Sequence, residues 1–284
     1  MTGRLSDIGA RITCVRQLGA VVNAMRGIAA ARAQQARSQL TAADSYAAII
    51  AAAIGRALSL AFPKAANAEG PPALVLFCAE QGFAGAFSER VLDAAAASAG
   101  AALFLVGTRG LAAAAERGLK PFWSGAMPTH SAGIPKLADG IAGALYERIS
   151  RHGAGPIDVL FTDWQPGNGT SIQRGRLLPF DPSAFPSPAG RNPPLLNLAP
   201  AALMVGLTAD YLHAELCRAA LHAFAAENEA RMESMAAARK QIDRQLAALE
   251  ATQRMVRQEE ITAEIIELAA GETASRERSR PGTV

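Results

Sequence analysis

Two glycines in the middle of the chain lie where an α/β protein would bind a phosphate group. Gly82 and Gly85 follow an apolar run at 73–78 and precede a segment with helical spacing. A turn between a strand and a helix N-terminus is the usual anion site of such folds. The surrounding residues do not complete this chemistry, because the fingerprints GxGxxG and GxxxxGKS/T are both absent. We therefore interpret the turn as a tight connection that needs glycine for its backbone angles.

The histidines are too dispersed to form a metal site from local spacing. Only His213 and His222 share a predicted helix, and a nine-residue separation does not place two ligands on one metal ion. Solvent-facing or helix-capping histidines are expected, and the motifs GxSxG and HExxH are absent. The sequence therefore predicts no catalytic, cofactor-binding or metal-binding site.

The three cysteines, Cys14, Cys78 and Cys217, form no CxxC pair. This usage is typical of buried or half-buried thiols in a reducing compartment. The first residues lack the apolar block of a signal peptide, and the apolar runs are shorter than the roughly 20 residues of a membrane-spanning helix. We expect an intracellular protein that does not cross a membrane.

The elements that dominate the sequence are two long amphipathic helices, predicted over 1–62 and 200–270. At 1.5 Å per residue, each would extend roughly 85 to 105 Å. Apolar residues recur in both segments at the three- and four-residue spacing of one helix face. They are Leu5, Ile8, Ile12, Val15, Leu18, Val22, Met25, Ile28, Leu40, Ala43, Ala47, Ile50 and Ile54 in the first segment, and Leu221, Phe224, Met232, Met235, Ala238, Ile242, Leu246, Leu249 and Val256 in the second.

Helices of this length need a partner, and each is the natural partner of the other. A compact domain between them forces the two helices to leave it side by side, so they must be antiparallel in chain direction. Heptad-like spacing predicts a left-handed supercoil, and the many alanines allow the backbones to approach closely. The sequence thus predicts a thin antiparallel coiled coil on a globular base.

The middle of the chain, 70–194, alternates between predicted strands and helices. Short apolar runs at 73–78, 102–106 and 157–161 are typical of strands buried on both faces, and helices are expected over 88–98, 108–117 and 134–152. This alternation favours a parallel, Rossmann-like sheet, with weaker strands near 121–123 and at an edge over 169–180. A proline-rich stretch at 181–194 precedes the second long helix, and residues 271–284 form a charged tail expected to be flexible.

The positive charge is concentrated at the start of the chain. The formal net charge is only +3, yet the first 40 residues contain six arginines and one acid, Asp7. A cationic helix can contact nucleic acid, anionic lipid or an acidic protein surface, or simply present a solvated face. Nucleic acid is the weaker alternative, because no aromatic residues alternate with these arginines and no nucleic-acid-binding motif is present.

Four segments resemble one known family, the γ subunits of F-type ATP synthases. Residues 22–32, VNAMRGIAAAR, resemble the family segment ITxAMxMVAAxK, and residues 227–238, ENEARMESMAAA, resemble SExxARMxAMxxA. Residues 257–265, RQEEITAEI, are similar to RQxxITxEL near the family's chain end, and the turn QGFAG at 81–85 stands where the family has RGLCGG. The resemblance spans essentially the whole chain.

This resemblance implies a rotating central stalk that itself carries no catalytic site. The implied partners are the α and β subunits of the catalytic hexamer, the ε subunit and the membrane c-ring, and the implied location is peripheral, on the cytoplasmic face of a bacterial inner membrane. Arg26 and Arg32, near Met25, would meet an acidic lever of the β subunit. Arg257, Gln258 and Thr262 would contact β and α loops that act as a catch.

The sequence also departs from the family pattern. Gly27 stands inside the first helix, where glycine costs about 1 kcal/mol relative to alanine and softens the helix locally. Glu259 and Glu260 add negative charge to the catch motif. Such divergence suggests an alternate ATPase operon. Two other functions stay open at this point: a coiled-coil adaptor, and an α/β nucleotide-binding enzyme with helical dimerisation arms.

Overall fold

The computed structural model describes residues 2–58, 70–186 and 195–278. Two very long helices bracket three shorter helices and five strands. The helices are α1 (Thr2–Leu58), α2 (Phe87–Ala95), α3 (Thr108–Glu116), α4 (Ile134–His152) and α5 (Pro200–Arg278). The strands are β1 (Ala73–Phe77), β2 (Ala102–Val106), β3 (Trp123–Gly125), β4 (Ile157–Gln165) and β5 (Gly169–Leu178).

The chain divides into two compact units, and the first is an antiparallel helix pair. It combines Met1–Arg26 with Met235–Val284. Ile12 packs against Val256, whereas Val22, farther along α1, packs against Met235 and Ile242. Residue numbers therefore rise along one helix as they fall along the other. Ion pairs flank this apolar seam, with Arg16 Nη2 lying 2.7 Å from Glu250 Oε1.

Leu18 does not belong to this seam, in contrast to the prediction. Its side chain is 51% exposed, and the neighbouring Gly19 faces α5 instead. A Cβ atom at Gly19 would lie 3.3 Å from Ile242 Cγ2, so the absence of a side chain allows close helix approach here. At this point the apolar stripe is interrupted by a glycine, against which Arg239 and Ile242 of α5 pack closely.

The second unit, Gly27–Ser234, contains the sheet. Strand order is β3-β2-β1-β4-β5, with β1 to β4 parallel and β5 antiparallel to β4. The long terminal helices and Rossmann-like α/β domain of the predicted fold class are confirmed. The sheet is mixed, however, because β4 extends to Gln165 and turns directly into β5, and such a short connection can only join antiparallel strands.

Both faces of this sheet are covered, which explains the continuous apolar strands. Val75 and Phe77 of β1 point into a core shared with α4, α1 and α5, whereas Leu74 and Leu76 point toward α2 and α3. Alternate side chains of a strand lie on opposite faces, so a strand buried on both sides has no polar alternation. All five residues of β1 are buried.

Several element boundaries differ from the predicted ones. α2 ends at Ala95, β3 occupies Trp123–Gly125, and α5 continues to Arg278. Residues 271–278 of the predicted flexible tail are therefore helical. Parts of the predicted segments, at 59–62, 187–194 and 279–284, lie outside the described residues. Among the helices that are described, none combines the length and the hydropathy needed to cross a bilayer.

Candidate functional site

The carboxyl edge of the parallel strands, where an α/β fold would hold an anion, is occupied by the chain's own carboxylate. Glu80 follows β1, and its side chain accepts hydrogen bonds from the Thr108 backbone N–H at 3.0 Å and the Thr108 hydroxyl at 2.6 Å. It also accepts the Met127 N–H at 2.8 Å. The first N–H of α3, at Thr108, is thus satisfied by Glu80, and the N–H of Gly110 donates to the Ala79 carbonyl, so neither is free to bind a phosphate.

Helix α5 fixes the same turn from the other side. The Glu227 carboxylate accepts the backbone N–H groups of Glu80 at 3.1 Å and Gln81 at 3.2 Å. Arg231, which forms an ion pair with Glu227, donates to the Gly82 carbonyl at 3.2 Å. Both charged side chains are buried, so their mutual pairing and these backbone contacts replace the water that they lost.

The predicted need for glycine in this turn holds at one of the two positions. Gly85 has φ 60°, in the left-handed region, but Gly82 does not. Phe83 adopts φ 63° instead, a conformation that residues with a Cβ atom rarely take, and its ring is 65% exposed. The contacts from α5 to the residues on either side hold this strained backbone in place.

The space enclosed by these groups is too small for a nucleotide. Arg32, Glu80, Met127, Glu227 and Arg231 line a cavity of about 10 Å³. One water molecule nearly fills such a volume, whereas small-molecule sites measure roughly 300 Å³ or more. The glycine turn therefore serves to join the sheet to α5, and the geometry gives no support to a nucleotide-binding enzyme at this edge.

Two histidines pair with aspartates, contrary to the expectation of solvent-facing or capping roles. His222 Nδ1 lies 2.8 Å from Asp163 Oδ1 at the end of β4. His213 Nδ1 lies 3.0 Å from Asp139 Oδ1 of α4, and its Nε2 is 3.4 Å from Cys217 Sγ. The described residues contain no group of three or more His, Cys, Asp or Glu side chains arranged to hold a metal ion.

The cysteines differ in their environments, and one differs from the prediction. Cys14 is exposed rather than buried. Burial raises the pKa of the Cys78 thiol to about 12, and burial together with the charge of Asp139 raises that of Cys217 to about 11. Both the buried thiol of Cys78 and the half-buried thiol of Cys217 are therefore protonated at neutral pH, which disfavours reaction as thiolates.

The candidate contact residues of α1 occupy different environments. Met25 is half-buried and packs against the cluster of Val22, Met235 and Ile242, whereas Arg26 is exposed. Arg32 is half-buried and borders the small cavity beside Glu80. Within the described residues, no carboxylate lies within ion-pair distance of Arg26 or Arg32.

The candidate contact residues of α5, namely Arg257, Gln258 and Thr262, are all exposed. The Thr262 hydroxyl donates to the Gln258 carbonyl at 2.8 Å, which places these two residues on one helix face. The adjacent Glu259 lies 3.7 Å from Arg4 across the helix pair. The exposed polar side chains of this segment are thus available to another protein surface.

The polar groups of α5 that lie in the interior were not predicted from the sequence. Glu227, Asn228, Glu229 and Arg231 are all buried, although a charged run in a long helix is usually a solvated face. The i, i+4 spacing of Glu227 and Arg231 was visible in the sequence. The turn and the sheet that bury this pair are remote in sequence, so spacing alone could not reveal the burial.

Comparison with known proteins agrees with this architecture. A family model described as ATP synthase matches residues 4–274. The ATP synthase gamma chain of Streptomyces avermitilis is 26% identical, over 93% of this chain and 93% of the relative. That of Chlorobaculum tepidum is 24% identical, over 95% of this chain and 98% of the relative.

Solved structures share the fold at low identity. A chain in the mitochondrial ATP synthase of Euglena gracilis, solved as its OSCP/F1/c-ring part, superposes with a TM-score of 0.71 at 14% identity, covering 100% of this chain and 98% of that one. A second chain, from the rotor of the same organism's enzyme, gives a TM-score of 0.66 at 13% identity, covering 92% and 100% respectively. Because the family model matches residues 4–274, nearly the whole chain, this chain belongs to the ATP synthase gamma chain family.

Proposed function

We propose that this chain is the central rotor stalk of an F-type ATP synthase, coupling rotation of an ion-driven membrane ring to the catalytic sites of the α and β subunits. The observation that carries the proposal is the family match over residues 4–274, which includes both long helices. The chain supplies no catalytic group of its own. It acts by making different contacts with catalytic subunits in different conformations, which shifts the population of those conformations.

The partners follow from this role. They are the hexamer of α and β subunits, the ε subunit and the c-ring, with no nucleic acid, and no helix among the described residues is long and apolar enough to span a membrane. The location is peripheral, on the cytoplasmic face of a bacterial inner membrane. The bacterial origin of the gamma chains that it resembles supports this placement.

Co-expression with α and β subunits tests the function directly. We expect a complex that contains one copy of this chain and hydrolyses ATP, measured by native mass spectrometry and a coupled assay. If the chain instead associated with itself and not with the α and β subunits, it would be a coiled-coil adaptor, and the rotor proposal would be contradicted.

The contact surfaces are proposed at two places. Arg26 and Arg32, near Met25, contact an acidic lever of the β subunit, and Arg257, Gln258 and Thr262 contact β and α loops. Two observations support this assignment. Arg26 and all three α5 residues are exposed, and within the described residues neither Arg26 nor Arg32 has an ion-pair partner.

Removal of residues 257–284 tests the α5 contact. We expect assembly to persist, because the helix pair keeps the seam from Ile12 to Val256, and we expect turnover or coupling to fall. Arg257→Ala should reproduce part of the loss, whereas Arg254→Ala, an exposed arginine one turn earlier, is the matched control. Unchanged activity of the truncated complex would remove this contact assignment and leave the fold intact.

A further inference from the structure

Arg37 of α1 lies between an aromatic ring of the sheet and a buried carboxylate of α5. Its guanidinium carbon Cζ is 4.9 Å from the ring centroid of Trp164 at the end of β4. Its Nη1 is 2.5 Å from Glu229 Oε1. One side chain therefore makes an ion pair and a cation–π contact with two other elements of the Gly27–Ser234 unit.

Glu229 depends on Arg37 for its charge compensation. The residue is only 1% exposed, and the described part of the chain places no other cation within 4.0 Å of its carboxylate. A carboxylate removed from water needs a cation or several hydrogen bonds to remain ionised. Residue 37 therefore needs a positively charged side chain, and the guanidinium group of arginine can also stack on the indole ring of Trp164.

Trp164 is itself held in place by its packing. Its ring packs on a buried cluster that includes Phe87 of α2 and Ala226 and Ala230 of α5. The preceding residue, Asp163, bonds to His222 of α5. The end of β4 is therefore fixed to α5 at two successive residues.

The rest of α1 near this level packs through small or flexible side chains. Ala36 is buried in the core that α1, α4 and α5 form on one face of the sheet, and Leu40 and Ala43 pack against the same core. Small apolar faces permit close approach but are non-directional, so they resist sliding and turning of a helix weakly. Arg37 adds an ion pair and a cation–π contact, which these apolar faces lack.

We propose that Arg37, held by Glu229 and Trp164, is a positioning residue that fixes the rotational setting of α1 on the sheet and α5, so that torque passes between them without slip. This inference rests on the proposed rotor function. It predicts that loss of the contact uncouples rotation from catalysis more than it reduces catalysis itself.

The experiment uses the assembled ATP synthase in membrane vesicles and measures ATP-driven ion pumping and ATP hydrolysis on the same preparation. Arg37→Glu places a like charge beside Glu229, and we expect the ratio of pumping to hydrolysis to fall about fivefold or more. The exchanged pair, Arg37→Glu with Glu229→Arg, should restore the ratio to within about twofold of wild type. Arg117→Glu, in an exposed pair with Asp93 of the same unit, is the matched control and should leave the ratio unchanged.

The outcomes separate this inference from the proposed function. A wild-type chain that does not assemble with α and β subunits contradicts the rotor function itself. An assembled Arg37→Glu complex with a wild-type ratio overturns the positioning role, as does equal loss in the exchanged pair. If Arg37→Glu prevents assembly, Arg37→Gln removes the cation without adding repulsion, and a wild-type ratio in that complex overturns the role equally.

Discussion

At the scale of residues, the most consequential group is the buried ion pair between Glu227 and Arg231. The pair fills one turn of α5 and holds the backbone after β1 through four groups of the turn, two N–H donors and two carbonyl acceptors. A buried pair of this kind contributes little relative to an apolar pair, but removal of one partner leaves a charge without compensation.

Glu227→Ala should therefore destabilise the chain strongly. We expect a loss of about 3–5 kcal/mol in the free energy of unfolding, because Arg231 stays buried without its counter-ion. Urea denaturation followed by circular dichroism measures the change. Glu147→Ala is the matched control, since Glu147 forms an exposed i, i+4 pair with Arg151, and such pairs contribute less than about 1 kcal/mol. Similar losses in both variants would contradict the role assigned to the buried pair.

The cysteines provide a second test at this scale. Thiolates, not thiols, react with alkylating agents, and the pKa values of Cys78 and Cys217 are raised to about 12 and about 11. At pH 8, iodoacetamide should label Cys14 in the folded chain and leave the other two unmodified, as read by peptide mass spectrometry. Unfolding in urea should expose all three, and Cys14→Ser should abolish labelling of the folded protein. Rapid labelling of Cys217 in the folded state would show that its thiol is less buried than described.

At the scale of elements, α1 is a helix of uneven local stability. It contains glycines at positions 3, 9, 19, 27 and 55, and these positions are not equivalent. Gly19 faces Arg239 and Ile242 closely, and Gly55 lies against the Pro186 carbonyl, whereas a Cβ atom added at Gly27 would meet no neighbouring atom within 4 Å. Only the close approaches need glycine, so Gly27 weakens the helix without a packing benefit.

Gly27→Ala should consequently stabilise the chain by up to about 1 kcal/mol, because alanine loses less backbone entropy in a helix. Thermal unfolding followed at 222 nm measures the effect. Gly19→Ala is the paired comparison, since its Cβ would lie 2.9 Å from Arg239 Nη1 and 3.3 Å from Ile242 Cγ2. It should gain less or lose stability. A larger gain at Gly19 than at Gly27 would contradict the packing described for the helix pair.

At the scale of the whole molecule, the sheet is a structural domain whose usual ligand edge is closed. Glu80 accepts the Thr108 N–H at the start of α3, and Glu227 accepts the N–H groups of Glu80 and Gln81 in the turn after β1, so these three donors are satisfied internally. A Rossmann-like topology is therefore compatible with a chain whose function depends on its helices, because fold alone does not determine activity.

The isolated chain should accordingly bind no nucleotide. Titration with MgATP in a calorimeter is expected to give only heats of dilution, and ATP hydrolysis should appear only after assembly with α and β subunits. Glu80→Gln removes the carboxylate charge at the α3 N-terminus. It is the control for an anion-binding site that this charge would otherwise block. Saturable heat from the wild-type chain would revive the α/β enzyme alternative.

The sequence by itself determined the long helices, the order of strands and helices, and the family. Periodic apolar residues in α1 and α5 and continuous apolar strands depend on local repetition, which is readable without a structure. The motifs at 22–32, 227–238 and 257–265 were equally local.

Only the tertiary structure decided which charged and glycine residues matter. Leu18 is exposed whereas Gly19 faces α5, and buried Glu229 is paired with Arg37, which is remote in sequence and lies over the Trp164 ring. Glu80 closes the anion site because Thr108, at the start of α3, and Met127, which follows β3, both donate to its carboxylate. The burial and pairing of a charge depend on which remote segments meet it, and a one-dimensional pattern does not contain that information.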